Sequence, residues 1–171
     1  MSIPEQMTVI LVGPMGAGKT SVGRKVAKVL GVSFTDTDKL IAAEHGPIPK
    51  LFAEQGEAHF RELERAAVAQ ALAAGGVISL GGGAVTTVET RELLRQHPVV
   101  FLSVSPEVIS GRIRGGNRPL LAGEDPVAKW NQIYEQRRGW YEEVATTTVD
   151  TSSRPMHRIA AEIAAWRREL T

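Results

Sequence analysis

Residues 13–20, GPMGAGKT, fit the pattern GxxxxGK[ST]. Each part of that pattern serves the binding of a polyphosphate. Glycines let the backbone wrap closely, so that N–H groups turn inward on phosphate oxygens. A helix opening at Lys19 adds the positive end of its dipole. Lys19 can reach the β- and γ-phosphates, and the Thr20 hydroxyl can ligate Mg2+, a hard cation that prefers oxygen. The pattern by itself gives nucleotide binding, which GTPases, ATPases and small-molecule kinases share.

Three further features could supply an acceptor site. Asp36 and Asp38 in "TDTDKL" lie two residues apart. In extended backbone they point the same way, and at the carboxyl end of a parallel strand they enter the ligand crevice. One could hold the metal, and the other could accept a hydrogen bond from an attacking hydroxyl. Alternatively, Asp38 caps the helix that follows. Arg61 stands in "GEAHFRELE" with Phe60 beside it and Glu64 three positions on. It is either a solvated partner of Glu64 or a guanidinium that Glu64 holds in the crevice. Finally, "SLGGGAV" at residues 79–85 places three glycines after a short apolar run. Between a strand and an expected helix, a simple turn needs fewer. The triplet favours a floor of N–H groups open to a flat anionic ligand.

These residues need a scaffold. Residues 8–12, 32–34, 77–80, 99–104 and 146–150 read as short buried strands. Helices are expected over 19–30, with Val22, Val26, Val29 and Leu30 on one stripe and Gly31 as the C-cap. Further helices are expected over 38–44, 48–54, 57–74, 106–112, 126–144 and 155–169. Strands alternating with helices imply an α/β chain, a parallel sheet covered on both faces. Ligands bind such sheets at the carboxyl ends of the strands, so both glycine loops should open onto one edge. Residues 114–126, "RGGNRPLLAGEDP", have hinge glycines, a charge to deliver and an apolar pair to pack down. They suit either a lid that excludes water or an ordinary surface loop.

The bulk properties narrow the class. The chain has 171 residues, 43% of them hydrophobic, and a net charge of +1. That fits a single domain over residues 1–171 with no electrostatic footprint for nucleic acid or membrane. It has no cysteine, which excludes disulfides and thiolate metal sites. His45, His59, His97 and His157 form no HxxxH pair. The N-terminal segment carries no signal-peptide pattern, and no apolar run matches a membrane span, so a cytoplasmic protein is expected. Asn117 and Asn131 are followed by Arg and Gln, so the NKxD guanine reader usual in GTPases is missing.

Taken in order, these motifs resemble the shikimate kinases along essentially the whole chain. The resemblance rests on GPMGAGKTSVGR, the DTD pair, Gly56 to Glu64, SLGGGAV, RPLL at residues 118–121, and Arg137 four before Tyr141 in "RRGWYEEVA". It implies the nucleoside-monophosphate-kinase-like fold, a three-layer α/β/α sandwich on a five-stranded parallel sheet with a mobile lid at about 114–126. It implies transfer of the ATP γ-phosphate to the 3-hydroxyl of shikimate with one Mg2+, and a kinase of this size is expected to act as a monomer. The ATP side would comprise Gly13, Met15, Gly16, Ala17, Gly18, Lys19, Thr20 and Ser21, with Arg112 and Pro155 flanking adenine and Arg118 closing over the phosphates. Arg114 competes with Arg112 for the adenine role. Thr20 and Asp36 would serve the metal. Lys19, Asp38 and Arg118 would be catalytic, with Asp38 also binding the shikimate hydroxyls. Arg61 and Arg137 would grip the carboxylate beside amides of Gly81, Gly82 and Gly83. A gluconate- or nucleotide-kinase-like enzyme is the alternative. One departure from the family pattern falls in the acceptor segment at about 36–64. There "EHGPIPKLF" is short, and Pro49 should interrupt its helix.

Overall fold

The computed structural model describes residues 7–113 and 125–170. The strands are β1 (Val9–Val12), β2 (Phe34–Asp36), β3 (Val77–Ser79), β4 (Val99–Ser103) and β5 (Thr147–Asp150). They form one parallel sheet in the order β2-β3-β1-β4-β5. The sheet is the five-stranded parallel one expected.

β1 lies at the centre, and its four residues are buried. Val9 and Leu11 enter one core with α1 (Lys19–Leu30) and α7 (Met156–Glu169). Ile10 and Val12 enter a second core, with Val68 and Ala71 of α3 (Ile48–Ala74) and Tyr141 of α6 (Pro126–Val144). Alternate side chains of a strand face opposite ways, so burial on both faces turns β1 into an unbroken apolar run.

Several boundaries differ from expectation. β2 begins at Phe34 rather than Val32, because the Val32 N–H closes the end of α1 on the Ala27 carbonyl at 3.0 Å. Val29 falls in the last turn of α1 and is 46% exposed, off the buried stripe. Pro49 does not interrupt a helix. It stands in the first turn of α3, where its missing N–H would have no partner in any case. The break comes at Gly56 instead, whose φ of 83° suits glycine and divides α3 between the two expected helices. α2 spans Thr37–His45, and a small core of Ile41, Leu51, Phe60 and Ala67 packs it on α3. After the glycine triplet come a 3-10 turn, Ala84–Thr86, and the short α4, Val88–Leu94; α5 spans Pro106–Arg112. α7 begins at Met156, with Pro155 as its N-cap. Among the described residues, no helix is long and apolar enough to cross a membrane.

Candidate active site

The two glycine loops leave neighbouring strands at one edge of the sheet. β1 runs into Gly13, while β3, its parallel neighbour, ends at Ser79, just before Gly81. The loops abut, since a Cβ on Gly82 would stand 3.5 Å from the Gly13 carbonyl oxygen and from the Met15 nitrogen. A cavity of about 540 Å3 spans them. Met15, Gly16, Gly18, Lys19, Thr20 and Ser21 line one side, and Asp38, Arg61, Glu64, Arg137 and the glycine triplet line the other.

On the first side, α1 opens without a side-chain cap or an acidic residue in its first turn, on Gly18 at φ 96°. The orphan N–H groups and the helix dipole are left to an anion. Lys19 Nζ donates to the carbonyls of Gly13 at 2.7 Å and Pro14 at 2.9 Å. Gly13 is packed so closely that a Cβ would lie 2.4 Å from the Leu102 carbonyl oxygen. Ala17 is buried, and its carbonyl accepts from the Thr151 hydroxyl at 2.7 Å.

Asp36, not Asp38, is the helix cap. Its Oδ1 accepts from the N–H groups of Asp38 at 3.0 Å and Lys39 at 3.3 Å, while its Oδ2 accepts from the Thr20 hydroxyl at 3.1 Å. Because α2 starts at Thr37, the two aspartates share no extended stretch, yet both line the cleft. Burial pushes the Asp38 carboxyl above the ordinary aspartate value. The neighbouring Asp36 adds to that shift, and Lys19 and Arg61 oppose it.

Arg61 faces the cleft rather than solvent. Nη1 donates to Glu64 Oε1 at 2.8 Å and Nη2 to Glu57 Oε1 at 3.0 Å, over the rings of Phe60 and Phe52. Glu64 is buried, and burial pushes its carboxyl up to about 7 against the pull of Arg61. Among the described residues Glu64 Oε2 and Arg61 Nε have no hydrogen-bond partner, which leaves two unsatisfied polar atoms beside the cleft. Arg137, from α6, is 6% exposed and lies near Gly82.

The triplet is glycine for reasons of space. Gly81, Gly82 and Gly83 all have negative-φ backbone, open to any residue. However, a Cβ on Gly81 would stand 2.6 Å from Asp38 Oδ1, and one on Gly83 would stand 2.2 Å from Arg61 Nη2. The bare backbone lets the acceptor-side carboxylate and guanidinium lie against it. No backbone carbonyl among the described residues accepts from the three N–H groups.

The remaining expected residues are placed less directly. Arg112 lines the cleft, with its guanidinium bound to the Gly16 carbonyl at 3.1 Å and the Thr151 carbonyl at 2.6 Å. Pro155 is not among the cleft-lining residues, although its neighbour Met156 packs on Gly18. Arg114, Arg118 and the expected lid lie outside the described residues, save its last two positions. Three residues without a role legible in the sequence brace the loops. Trp130 Nε1 donates to the Met15 carbonyl at 2.8 Å, the Tyr141 hydroxyl donates to the Gly82 carbonyl, and Thr151 bridges Ala17 and Ser103. The helical spacing of Trp130, Tyr134, Arg137 and Tyr141 on one stripe was the available signal.

A phosphate loop facing a separate arginine-lined anion pocket is what a small-molecule P-loop kinase requires, the loop for the donor and the pocket for the acceptor. The shikimate kinase family model matches residues 15–167, and this chain belongs to that family. It is 52% identical to a shikimate kinase of Salinispora tropica over 91% of this chain and 95% of that one. It is 48% identical to the enzyme of Corynebacterium efficiens, over 91% and 93%. Among solved structures it resembles the shikimate kinase from Acinetobacter baumannii in complex with shikimate. The TM-score is 0.91 at 36% identity, over 97% of this chain and 95% of that one.

Proposed function

We propose that this chain transfers the γ-phosphoryl group of ATP to the 3-hydroxyl of shikimate, giving shikimate 3-phosphate and ADP, within chorismate and aromatic amino-acid biosynthesis. The observation that carries this is the single cleft in which Lys19 and Thr20 face Asp38, Arg61 and Arg137. Family membership supports the same reaction, and the gluconate- and nucleotide-kinase alternative has no comparable support.

Phosphoryl transfer asks the protein mainly for positioning and electrostatic stabilisation. The P-loop amides and Lys19 hold the phosphates. Arg61 and Arg137 offer planar forks to the shikimate carboxylate, where lysine would offer a point charge. The amides of the glycine triplet add neutral donors alongside. Asp38 accepts the hydrogen bond of the attacking hydroxyl. Burial raises its pKa, which makes its carboxylate a better acceptor for that proton than an exposed aspartate.

Thr20 and Asp36 fit Mg2+. Their oxygens lie 3.1 Å apart at the phosphate end of the cleft, and Mg2+ takes few protein ligands when phosphates supply the rest. When bound, the ion neutralises phosphate charge. Arg118 as a phosphate clamp, Arg112 and Pro155 beside adenine, a monomeric state and a cytoplasmic setting complete the reading.

The test is a coupled ADP-release assay of the purified chain with shikimate, gluconate and nucleoside monophosphates. Release that depends on shikimate, with the others near background, is the expected result. Comparable or faster release with gluconate or a nucleotide would overturn it.

A further inference from the structure

Two carbonyls of the cleft are held from behind by the same helix. Trp130 Nε1 donates to the Met15 carbonyl at 2.8 Å, in the phosphate loop. Eleven residues further along α6, the Tyr141 hydroxyl donates to the Gly82 carbonyl, in the glycine floor. Both side chains are buried, at 2% and 1% exposure. Rings fill the space between the two donors. Trp130 stacks on Tyr134 at 5.0 Å, Tyr134 faces Tyr141 at 6.4 Å, and Tyr141 stacks on Phe101 of β4 at 5.2 Å. Burial pushes the Tyr141 hydroxyl up to about 12, so it stays a protonated donor.

A peptide unit is planar, and in its trans form the C=O and the next N–H point opposite ways. No cis peptide occurs among the described residues. Pinning the Met15 carbonyl therefore fixes the direction of the Gly16 N–H, and pinning the Gly82 carbonyl fixes that of the Gly83 N–H. Among the described residues neither N–H donates to a backbone carbonyl, and both glycines line the cleft. A carbonyl that accepts a hydrogen bond also polarises its amide, which makes the N–H a stronger donor.

We infer that Trp130 and Tyr141 are positioning residues, one for each substrate. Trp130 aims the Gly16 amide at the phosphates of the donor, and Tyr141 aims the Gly83 amide at the carboxylate of the acceptor. α6 thereby sets both anion sites from one rigid element and carries Arg137 between the two anchors. The inference rests on the proposed use of the cleft by ATP and shikimate.

The experiment compares Trp130→Phe and Tyr141→Phe, which keep an aromatic ring and remove the donor. Tyr134→Phe is the control, because its hydroxyl makes no hydrogen bond to either loop among the described residues. Losing one net hydrogen bond corresponds to about a fivefold change. Tyr141→Phe should raise KM for shikimate by about fivefold and KM for ATP by under about 1.5-fold. Trp130→Phe should show the reverse pattern, and Tyr134→Phe should show neither. Unchanged KM values, or parallel shifts in both substrates, would overturn the inference and leave mere packing. Should one variant unfold below the assay temperature, the other decides alone. The wild-type chain separates the two levels. If it fails to phosphorylate shikimate, the proposed function falls; if it succeeds and the variants show no selectivity, only the role of α6 falls.

Discussion

Arg61 Nη1 lies 2.8 Å from Glu64 Oε1, one turn along the same face of α3, and Glu64 is 1% exposed. The pair holds the guanidinium in the cleft, yet burial raises the Glu64 carboxyl to about 7 from the usual 4.5. Between those values the folded chain binds more protons than the unfolded one. Stability therefore falls as pH rises from about 4.5 to 7 through this group, and Asp38, also raised, contributes with the same sign. Glu64→Gln cannot ionise and should flatten the slope. Urea midpoints at pH 5, 6, 7 and 8 check this: the wild type should lose more stability than the variant between pH 5 and 7. Parallel curves for the two proteins would refute the assignment.

The glycine floor makes a graded prediction. A Cβ at Gly83 overlaps the Arg61 guanidinium, and one at Gly81 comes within 2.6 Å of Asp38, whereas at Gly82 the nearest atoms are 3.5 Å away, ordinary contact. Gly83→Ala should raise KM for shikimate by about tenfold or more, the cost of displacing one charged hydrogen-bonding group. Gly81→Ala should act chiefly on kcat through Asp38. Gly82→Ala should stay within about threefold of wild type on both parameters, a residual cost of about 0.6 kcal/mol. Steady-state kinetics of the three variants measure the order, and a Gly82 variant as impaired as its neighbours would contradict the steric account.

Asp38→Asn keeps the shape of the side chain and removes its ability to take a proton. The turnover number should fall by about a hundredfold or more, with thermal unfolding close to that of the wild type. In the wild type, burial and Asp36 raise the Asp38 carboxyl. The acid limb of kcat should therefore lie above the ordinary aspartate range, with activity lost as pH falls. A variant turning over at near the wild-type rate would remove Asp38 from the chemistry.

Much of this was legible in the residues. GxxxxGK[ST] between a strand and a helix announces its own chemistry, and the apolar runs mark a parallel sheet whose edge gathers the loops. The choice between a solvated and a cleft-facing Arg61 was not legible, because an i,i+3 pair with Glu64 reads the same on either face. β2 was misplaced because the Val32 N–H serves the end of α1, a local competition that propensity does not register. The alternative in which Asp38 caps the helix fails because α2 begins at Thr37, one residue before the expected start, which leaves Asp36 as the cap. Pro49 looked like a breaker although the expected helix starts at residue 48, as α3 does; a proline at its second position falls in the first turn, where no N–H partner is lost. The glycine triplet suggested a ligand floor, but the steric reason for it, Asp38 and Arg61 lying against the backbone, requires three elements distant in sequence to meet. The bracing roles of Trp130 and Tyr141 are not legible, since nothing local shows that their polar tips reach two loop carbonyls.

Arg137 is brought by α6 to the acceptor side of the same cleft that Lys19 lines. Its loss removes a charged hydrogen-bonding group, a cost of about 1.5–3 kcal/mol. The decisive measurement is KM for shikimate and for ATP in Arg137→Ala. KM for shikimate should rise by roughly ten- to a hundredfold while KM for ATP stays within about twofold, a difference of about 0.4 kcal/mol. An unchanged KM for shikimate, or an equal rise for ATP, would contradict a carboxylate grip facing the phosphate loop.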